Sequence, residues 1–294
     1  MMRRRMIVLF LGPALILYLS LLIVPALQAF ILSFYDTSGF GDSARFVGID
    51  NYSRMLTDSI FWRSVRNTAA IMVIGGIAVF ALAFLLTVLI NSGLWGRKLF
   101  RAMIFMPNVI AVVAITTFWS FVFMPRYGLL TSALKAVGLD GLAKIAWTAP
   151  ENVFWSMMVG MVWLASGFFM ILILAGADKI PTDMYEAAKL EGASQFQMFR
   201  FITVPMIWDV MVIAFVLWTI QAIKTMEFPY AFGGPNIDQN LYTTSIYLYI
   251  MGFGQRTPVY ALGYATAIGV VMLGMTVAAV LILRLLLRRD RVEY

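Results

Sequence analysis

The sequence predicts an all-α polytopic membrane protein with about six transmembrane helices and a charged helix–turn–helix elbow in the cytoplasm. Three observations predict this class. Of the 294 residues, 62% are hydrophobic and only 13% are charged, whereas a soluble domain carries about a quarter charged residues. The apolar residues form runs near or above the ~20 residues that cross a bilayer as a helix. One charged stretch, residues 178–203, interrupts these runs late in the chain.

Window hydropathy places the predicted spans, which together form a single transmembrane domain. The spans are Met6–Phe34, Thr68–Ile90, Met103–Met124, Val153–Ala177, Val204–Ile223 and Pro258–Leu283. The first span begins with a basic tip, as a secretory signal peptide does, but its apolar run is well beyond the ~7–15 residues of such peptides. We therefore predict an uncleaved helix that bends at Pro13 and Pro25, because proline disrupts helical hydrogen bonding.

The net charge of +7 indicates topology. Basic residues concentrate in the N-terminal tip, the loop after the second span, the stretch 178–203 and the C-terminal tail. The positive-inside rule puts these segments, and so both termini, in the cytoplasm. No basic patch is interleaved with stacking aromatic residues in a soluble module, so the charge does not indicate nucleic-acid binding.

The composition also argues against enzymatic chemistry. The chain has no Cys and no His, which removes the thiol nucleophile and the commonest general base and metal ligand. The sequence contains no G-x-x-x-x-G-K-[ST] phosphate loop, so we do not expect the chain to cradle ATP itself. We predict no catalytic residues and no metal site.

Local signals predict the elbow within residues 178–203. Thr182 is placed to cap a first helix, and Asp183 and Glu186 lie in its first turn, where the helix dipole favours acids. Gly192 ends that helix, as glycine often does at a helix C-terminus. Ser194 followed by Gln197 forms a capping box that starts a second helix at once.

The exposed side of this elbow needs a partner other than lipid. Its acidic residues would face an anionic leaflet unfavourably, which argues against a helix that lies on headgroups. The small side chains of Ala187 and Ala188 allow another surface to approach closely. We therefore predict a protein partner in the cytoplasm.

The stretch EAAKLEGASQFQMFRFITVP resembles the coupling-loop motif of the membrane subunits of bacterial ABC importers. That motif is E-A-A, three residues, G, nine residues and I-x-L-P. The chain matches it at Glu186, Ala187, Ala188, Gly192, Ile202 and Pro205, and carries Val204 where Leu is usual. The resemblance assigns ATPase coupling to Tyr185, Glu186, Ala187, Ala188, Gly192, Ala193 and Pro205.

The resemblance extends over nearly the whole chain. FVGIDNYSRMLTDSIFWRSVRNT, FMPNVIAVVAITTFWSFVFMPRYGLLTSALKAVGL and FGGPNIDQNLYTTSIYLYIMGF are similar to segments around the second, third and last spans of carbohydrate-importer permeases. Together they resemble the first-type permease of a sugar-importer pair, the maltose-importer-like class. The resemblance implies the type I importer permease fold in a bacterial plasma (inner) membrane.

The same resemblance implies a set of partners. A second, homologous permease would complete a heterodimer, and two ATPase subunits would hold ATP and magnesium, with no cofactor in this chain. An extracytoplasmic solute-binding protein would deliver a sugar or a related polyol. The elbow would then carry movement from the ATPase to the spans.

By resemblance to the maltose importer, the third and fourth spans should line the solute path. Aromatic faces beside fixed hydrogen-bonding groups suit a sugar. The candidates are Thr116, Thr117, Trp119, Ser120, Trp163, Ser166 and Phe168, with Lys224 and Glu227 at the outer end of the fifth span. A structural role is also open for each of them, because Trp is common at membrane interfaces and Ser or Thr often joins helices. The two charged residues could equally extend from a helix end to water.

Other transport classes fit the sequence less well. An ion- or proton-coupled secondary transporter without an ATPase is the main alternative, but such proteins usually show internal repeats or ion-coordinating groups near the midplane. The sequence shows no internal repeat, and no predicted span carries an acid near its centre. A channel would need a filter or a ring of charge, which the sequence does not display.

Overall fold

The computed structural model describes residues 2–39, 44–91, 95–255 and 259–288, with side chains from residue 9 onward. Helices form almost all of it, which confirms the predicted all-α class. The α-helices are α1 (Met2–Tyr18), α2 (Val24–Leu32), α3 (Asp50–Thr57), α4 (Ser59–Ala70), α5 (Gly76–Asn91), α6 (Arg97–Phe105), α7 (Val112–Val122), α8 (Leu129–Ala136), α9 (Asp140–Ala143), α10 (Val153–Ala177), α11 (Thr182–Leu190), α12 (Gln195–Met198), α13 (Val204–Met206), α14 (Trp208–Lys224), α15 (Glu227–Gly233), α16 (Thr244–Phe253) and α17 (Leu262–Leu286). Wider π-helical turns lie at Leu19–Ile23, Ile71–Gly75 and Phe199–Thr203, and 3-10 turns lie at Met106–Val109, Gly234–Asn236 and Gln239–Leu241. Strands β1 (Tyr35–Asp36) and β2 (Arg45–Phe46) pair antiparallel.

The chain divides into two compact units. The first comprises Met1–Trp62 with Thr244–Met275, and the second comprises Arg63–Thr243 with Thr276–Tyr294. All of the residues predicted to couple to an ATPase or to line the solute path lie in the second unit.

In the first unit, backbone segments meet closely beside the β1–β2 hairpin. Asn51 donates a hydrogen bond from Nδ2 to the carbonyl oxygen of Tyr35 at 3.0 Å. The backbone N–H of Leu262 donates to the carbonyl oxygen of Thr37, also at 3.0 Å. A Cβ at Gly263 would overlap the Tyr35 carbonyl oxygen, so the contact requires glycine there. These contacts hold the start of α17 against the hairpin.

The carboxylate of Asp58 joins three helices of the first unit. It accepts hydrogen bonds from the backbone N–H groups of Ile60 (2.9 Å) and Phe61 (3.1 Å) at the start of α4. It also accepts from the hydroxyls of Tyr247 on α16 and Tyr264 on α17, the latter at 2.6 Å. Burial alone would raise the pKa of this carboxyl, but the hydrogen bonds outweigh burial and hold the pKa below its usual range. We name Asp58, Tyr247 and Tyr264 the Asp58 cluster.

The first predicted span is helical from Met6 to Leu32, two residues short of its predicted end at Phe34, with the π-helical turn just before Pro25. A proline has no N–H to donate to the carbonyl four residues earlier, which accounts for the wider turn at this point. The segment Leu9–Leu32 has a mean hydropathy of 2.4, and none of its most apolar part is buried within the chain. An apolar helix this exposed needs lipid or another subunit around it.

The second predicted span lies inside a longer helix, which runs from Ser59 to Asn91 through the turn at Ile71–Gly75. It begins well before the predicted start at Thr68, because Asp58 caps it and sets its first residue. Arg63 and Arg66 occupy the added turns. Hydropathy marks where the chain becomes apolar, whereas the cap marks where the helix begins.

The third and fifth predicted spans are not straight helices, which corrects the sequence-based expectation. In the third, residues 97–109 and α7 meet at 101°, because Pro107 shortens the helix into a 3-10 turn and Ile110 is extended, with ψ of 142°. In the fifth, Val204–Met206 ends the preceding helical segment, which meets α14 at 80°. Both breaks place non-helical backbone inside an apolar stretch.

The remaining spans agree more closely with the sequence. The fourth predicted span coincides with α10. The sixth corresponds to α17, which runs from Leu262 to Leu286, and its predicted first residue, Pro258, lies outside the described residues. Within the described part of the chain, four helices are long and apolar enough to cross a membrane, or up to six if each bent pair counts as one span.

The second unit has α10 at its centre. Met157, Phe169 and Met170 of this helix are fully buried, and the ring of Phe169 lies 5.0 Å from that of Phe80 on α5. Lipid tails are as apolar as the helices, so little hydrophobic driving force brings the helices together in a membrane. Close aromatic contacts therefore contribute to the stability of helix packing. The α10 helix thereby provides a rigid support from which the chain enters the elbow.

Candidate functional site: the elbow and a solute cavity

The elbow consists of α11 and the helical segment that starts with α12. The first helix ends in a glycine motif: Gly192 has φ of +76°, its N–H donates to the Lys189 carbonyl (3.0 Å), and the Ala193 N–H donates to the Ala188 carbonyl (3.0 Å). This is the paired bonding of a Schellman C-cap, in which glycine adopts the left-handed conformation without strain. The predicted stop at Gly192 is confirmed.

The second helix of the elbow starts with the predicted capping box. The Ser194 side chain accepts from the Gln197 N–H at 3.2 Å, and the Gln197 side chain accepts from the Ser194 N–H at 2.7 Å. The capping role predicted for Thr182 is wrong. Thr182 is the first helical residue, and the capping position before it belongs to Pro181, which has no side-chain hydrogen bond. Of the two acids predicted for the first turn, Asp183 lies there, but Glu186 is the fifth residue of α11 and lies beyond it.

A side-chain hydrogen bond ties the two limbs of the elbow together. The hydroxyls of Tyr185 on α11 and Thr203 lie 2.9 Å apart, and Thr203 and Met198 are buried. The limbs are therefore fixed at the turn by the caps and at their far ends by this bond. This bond links α11 to the segment that leads into α14.

The outer surface of the elbow is apolar and acidic. Leu190 is 89% exposed, Phe196 is 65% exposed and Phe201 is 68% exposed. Glu186 is also exposed, and it lines a cavity of about 410 Å³ together with Tyr185 and other residues. Large exposed apolar side chains beside charged ones are typical of a protein interaction surface.

The other residues assigned to coupling have different surroundings. Ala187 is exposed, while Ala188 and Ala193 are half-buried at the turn. Pro205 is half-buried in α13, at the bend that precedes α14. The structure therefore brings Tyr185 and Glu186 into one cavity and spreads the rest along the elbow.

The two tryptophans predicted for the solute path lie against each other. The rings of Trp119 and Trp163 meet edge to face at 5.7 Å, and Trp119 stacks on Phe123 at 5.5 Å. A Cβ at Gly160 would lie 2.9 Å from the Trp119 ring, so Trp119 is packed tightly against α10. The Trp119 Nε1 is buried, with no hydrogen-bond partner among the described residues.

The hydroxyl groups predicted for the path bond to their own helices. On α7, Thr116 and Thr117 donate to the Val113 carbonyl at 3.0 Å and 2.8 Å, and Ser120 donates to the Thr116 carbonyl at 2.9 Å. On α10, the buried Ser166 donates to the carbonyl four residues earlier at 2.6 Å. Hydroxyls that are satisfied within a helix are weaker candidates for solute contacts.

A second cavity, of about 320 Å³, opens between α10, α14 and the start of α15. Two predicted path residues, Phe168 and Glu227, line it. Lys224 and the two tryptophans are not part of its lining. The lining also includes residues that the sequence reasoning missed, namely Asn108, Trp218, Gln221, Thr225 and Phe228.

The polar side chains in this second cavity differ in whether they are already hydrogen-bonded. The Asn108 Nδ2 donates to the Leu164 carbonyl at 3.1 Å, which holds the amide at the break between α6 and α7. Gln221 and Glu227 are exposed, and neither forms a side-chain hydrogen bond or ion pair within the described residues. Aromatic walls with a few unsatisfied polar groups are typical of small-molecule sites. One sequence signal for Gln221 existed, since a glutamine within an apolar span is unusual.

The comparison with protein families decides the class. Residues 86–292 match the family described as binding-protein-dependent transport system inner membrane component. The chain belongs to this family. The matched range contains the elbow and both cavities, and membership makes the chain a transport permease rather than an ion-coupled secondary transporter.

Relatives and solved structures agree with membership of the binding-protein-dependent transport family. The chain is 30% identical over 280 residues to the diacetylchitobiose uptake system permease protein NgcF of Streptomyces coelicolor, covering 91% of this chain and 78% of NgcF. It is 31% identical over 293 residues to the sulfoquinovosyl glycerol transport system permease protein SmoG of Agrobacterium fabrum, covering 98% of this chain and 92% of SmoG. A chain in the crystal structure of a bacterial ABC transporter that imports alginate has the same fold, with a TM-score of 0.81, 23% identity and coverage of 99% and 97%.

Proposed function

We propose that this chain is one of two permease subunits of an ABC importer that carries a sugar or a related polyol. An extracytoplasmic solute-binding protein delivers the solute, and two separate ATPase subunits hold ATP and magnesium. Family membership and the uptake systems to which NgcF and SmoG belong support the sugar class. The observation that carries the proposal is the elbow. Its two helices are hydrogen-bonded to each other and its outer face is exposed, as a docking site for a moving ATPase subunit requires.

The ATPase is assigned to the elbow on physical grounds. The sequence has no phosphate loop, so the energy must come from another chain. The exposed Leu190 and Phe196 offer apolar contact area, and Glu186 offers a charge for a basic group on the partner. Buried aromatic and aliphatic anchors with a few charged contacts are typical of protein interfaces.

The solute is assigned to the second cavity. Phe168 and Phe228 provide apolar faces, while Gln221, Glu227 and Thr225 provide hydrogen-bonding groups. A sugar has apolar C–H faces and many hydroxyl groups. The cavity therefore fits a hydroxyl-rich solute better than an apolar one. The tryptophan pair then packs α7 against α10.

Reconstitution in vesicles tests the proposed function. The permease pair and its ATPase should take up labelled sugar only when ATP and the solute-binding protein are both present. Uptake driven by an ion gradient without ATP would contradict the proposal. A sugar-loaded binding protein should also stimulate ATP hydrolysis by the complex, whereas the empty binding protein should stimulate it less.

We further propose that both termini lie in the cytoplasm, on the same side as the elbow. A reporter that is active only outside the cytoplasm should therefore be silent when fused after Tyr294 and active when inserted near Asp140. The reason is the excess of basic residues in the connections assigned to the inside. An active fusion at Tyr294 would overturn this topology.

A single substitution tests whether the solute binds in the second cavity. Gln221→Leu keeps the size of the side chain but removes its hydrogen-bonding amide. We expect the KM of sugar uptake to rise roughly three- to tenfold, which corresponds to the loss of one net hydrogen bond of about 1 kcal/mol. Radiolabelled uptake at varied concentrations of loaded binding protein measures this.

Thr117→Val is the matched control for the cavity. Thr117 is exposed, its hydroxyl is satisfied by the Val113 carbonyl, and it does not line the cavity. Its KM should stay within twofold of the wild-type value. An unchanged KM for Gln221→Leu, or an equal rise for Thr117→Val, would remove the cavity from the solute path.

A further inference from the structure

A cleft with a basic edge and an apolar floor lies between α6 and α10. Lys98, Arg101, Ala102 and Phe105 line it from α6, and Ile171 lines it from α10, around a volume of about 320 Å³. The four residues on α6 recur with the spacing i, i+3, i+4 and i+7, so they share one face of the helix. The lining of the cleft therefore combines two cationic side chains with three apolar ones, those of Ala102, Phe105 and Ile171.

The positive charge at this cleft is only partly neutralised. Arg101 Nη1 lies 3.2 Å from Asp178 Oδ2, while Arg101 Nε is buried and lacks a hydrogen-bond partner within the described ranges. Lys98 is exposed and forms no ion pair with any described residue. Of the two cations that line the cleft, only Arg101 has an ion-pair partner among the described residues, which leaves a surplus of positive charge.

The cleft lies at the level where a membrane helix ends. Arg101 pairs with Asp178, the residue directly after α10, and α10 is long and apolar enough to cross a bilayer. Trp95, just before α6, is 97% exposed, and Leu99 and Met103 on α6 are 65% and 56% exposed. An exposed tryptophan beside basic and apolar side chains is typical of the boundary between headgroups and acyl chains.

We propose that this cleft binds one phospholipid with an anionic headgroup, such as phosphatidylglycerol. The lipid phosphate lies between the Lys98 ammonium and the Arg101 guanidinium, and the first acyl carbons lie along Ala102, Phe105 and Ile171. Charge-assisted hydrogen bonds hold the phosphate, and the apolar floor holds the chain. A free phosphate ion would gain nothing from that floor, and the amine of a zwitterionic headgroup would be repelled by the surplus cations.

Native mass spectrometry of the purified, delipidated importer complex tests the site. Phosphatidylglycerol is titrated into the complex, and phosphatidylcholine serves as the headgroup comparison. We expect Lys98→Gln to weaken phosphatidylglycerol binding roughly fivefold, because each basic residue near an anionic headgroup contributes on that order. Lys98→Arg should retain the wild-type affinity, since it keeps the charge and the donors.

The control is Lys135→Gln, which removes an exposed lysine in the last turn of α8, far from the cleft in sequence and absent from its lining. Its affinity for phosphatidylglycerol should equal that of the wild type. The proposal is overturned if Lys98→Gln binds phosphatidylglycerol normally, or if Lys135→Gln loses as much. It is also overturned if inorganic phosphate displaces the lipid at equal concentration. Loss of the ATPase subunits from the Lys98→Gln complex would instead assign the cleft to a protein partner.

Discussion

The Glu186→Lys substitution should abolish ATP-driven uptake while leaving folding and membrane insertion intact. Glu186 is exposed on the elbow and lines its cavity, so the substitution reverses a charge where we propose that the ATPase docks. Like charges brought together at an interface weaken binding by roughly several kcal/mol. Co-purification of the ATPase and uptake in vesicles measure the effect, and both should fall below detection.

The structure explains why Glu186→Lys should still fold. The Schellman motif at Gly192 and the bond between Tyr185 and Thr203 do not involve the Glu186 side chain. Position 186 is the fifth of nine residues in α11, beyond the first turn, so a lysine there opposes the helix dipole by less than about 1 kcal/mol. Insertion into the membrane depends on the apolar spans, which the substitution does not touch.

Glu191→Lys is the matched control for this charge reversal. Glu191 is exposed at the C-terminal end of α11, where the helix dipole stabilises a lysine. Its side chain does not line the cavity. This variant should keep the ATPase and most of the uptake. Normal uptake and co-purification in Glu186→Lys would show that the elbow is not the coupling element. Equal loss in both variants would point to the net charge of the elbow rather than to position 186.

Short-range signals predicted the elbow well. Gly192 and the pair Ser194 and Gln197 act over three or four residues, and each makes the hydrogen bonds expected from its position. Such bonds depend on the backbone beside them and on nothing distant, so they can be inferred from sequence. The misassigned cap at Thr182 shows the limit, because Pro181 is also compatible with the position before the helix.

The solute cavity could not be predicted in the same way. It is assembled from Asn108, Phe168 and Gln221, which come from three separate segments. Hydropathy gives the approximate extent of an apolar segment, but the breaks near Pro107 and Ile207 decide which side chains meet. The sequence pointed to the third and fourth spans and to Lys224 and Glu227 at the end of the fifth, whereas the cavity adds Trp218 and Gln221 from within the fifth. Tertiary packing therefore supplies what local pattern leaves open.

Replacing Asp58 with Ala should cause the largest loss of folded stability among the changes considered. The substitution removes the cap of α4 and the acceptor for two tyrosyl hydroxyls at once. Tyr247 and Tyr264 are 3% and 2% exposed, so water cannot readily replace the lost acceptor. A lost cap costs about 1 kcal/mol, and each hydrogen bond lost to the charged carboxylate costs about 1.5–3 kcal/mol. Thermal unfolding in detergent, followed by tryptophan fluorescence, should show a clearly lower Tm.

Two further variants distinguish the contribution of the Asp58 cluster to stability from a general effect of removing a negative charge. Asp50→Ala removes an acid from the first turn of α3, where it contributes only through the helix dipole, so its Tm should change little. Adding Tyr264→Phe to Asp58→Ala should lower the Tm by less than the sum of the two single effects, because the hydroxyl of Tyr264 has already lost its bond to the carboxylate. Equal Tm values for Asp58→Ala and Asp50→Ala would refute the role of the cluster.

The pKa of Asp58 sets the sign of the accompanying pH dependence. The folded protein holds the pKa of this carboxyl below its usual value, so the unfolded chain binds the proton more tightly. The contribution of Asp58 to stability is therefore fully present above the unfolded pKa of about 4, and it is lost as the pH falls through the lower folded pKa. The Tm difference between wild type and Asp58→Ala should accordingly shrink on acidification below about pH 4. A difference that grew on acidification would mean that the carboxyl is protonated in the folded cluster, with its pKa raised by burial rather than lowered by its four donors.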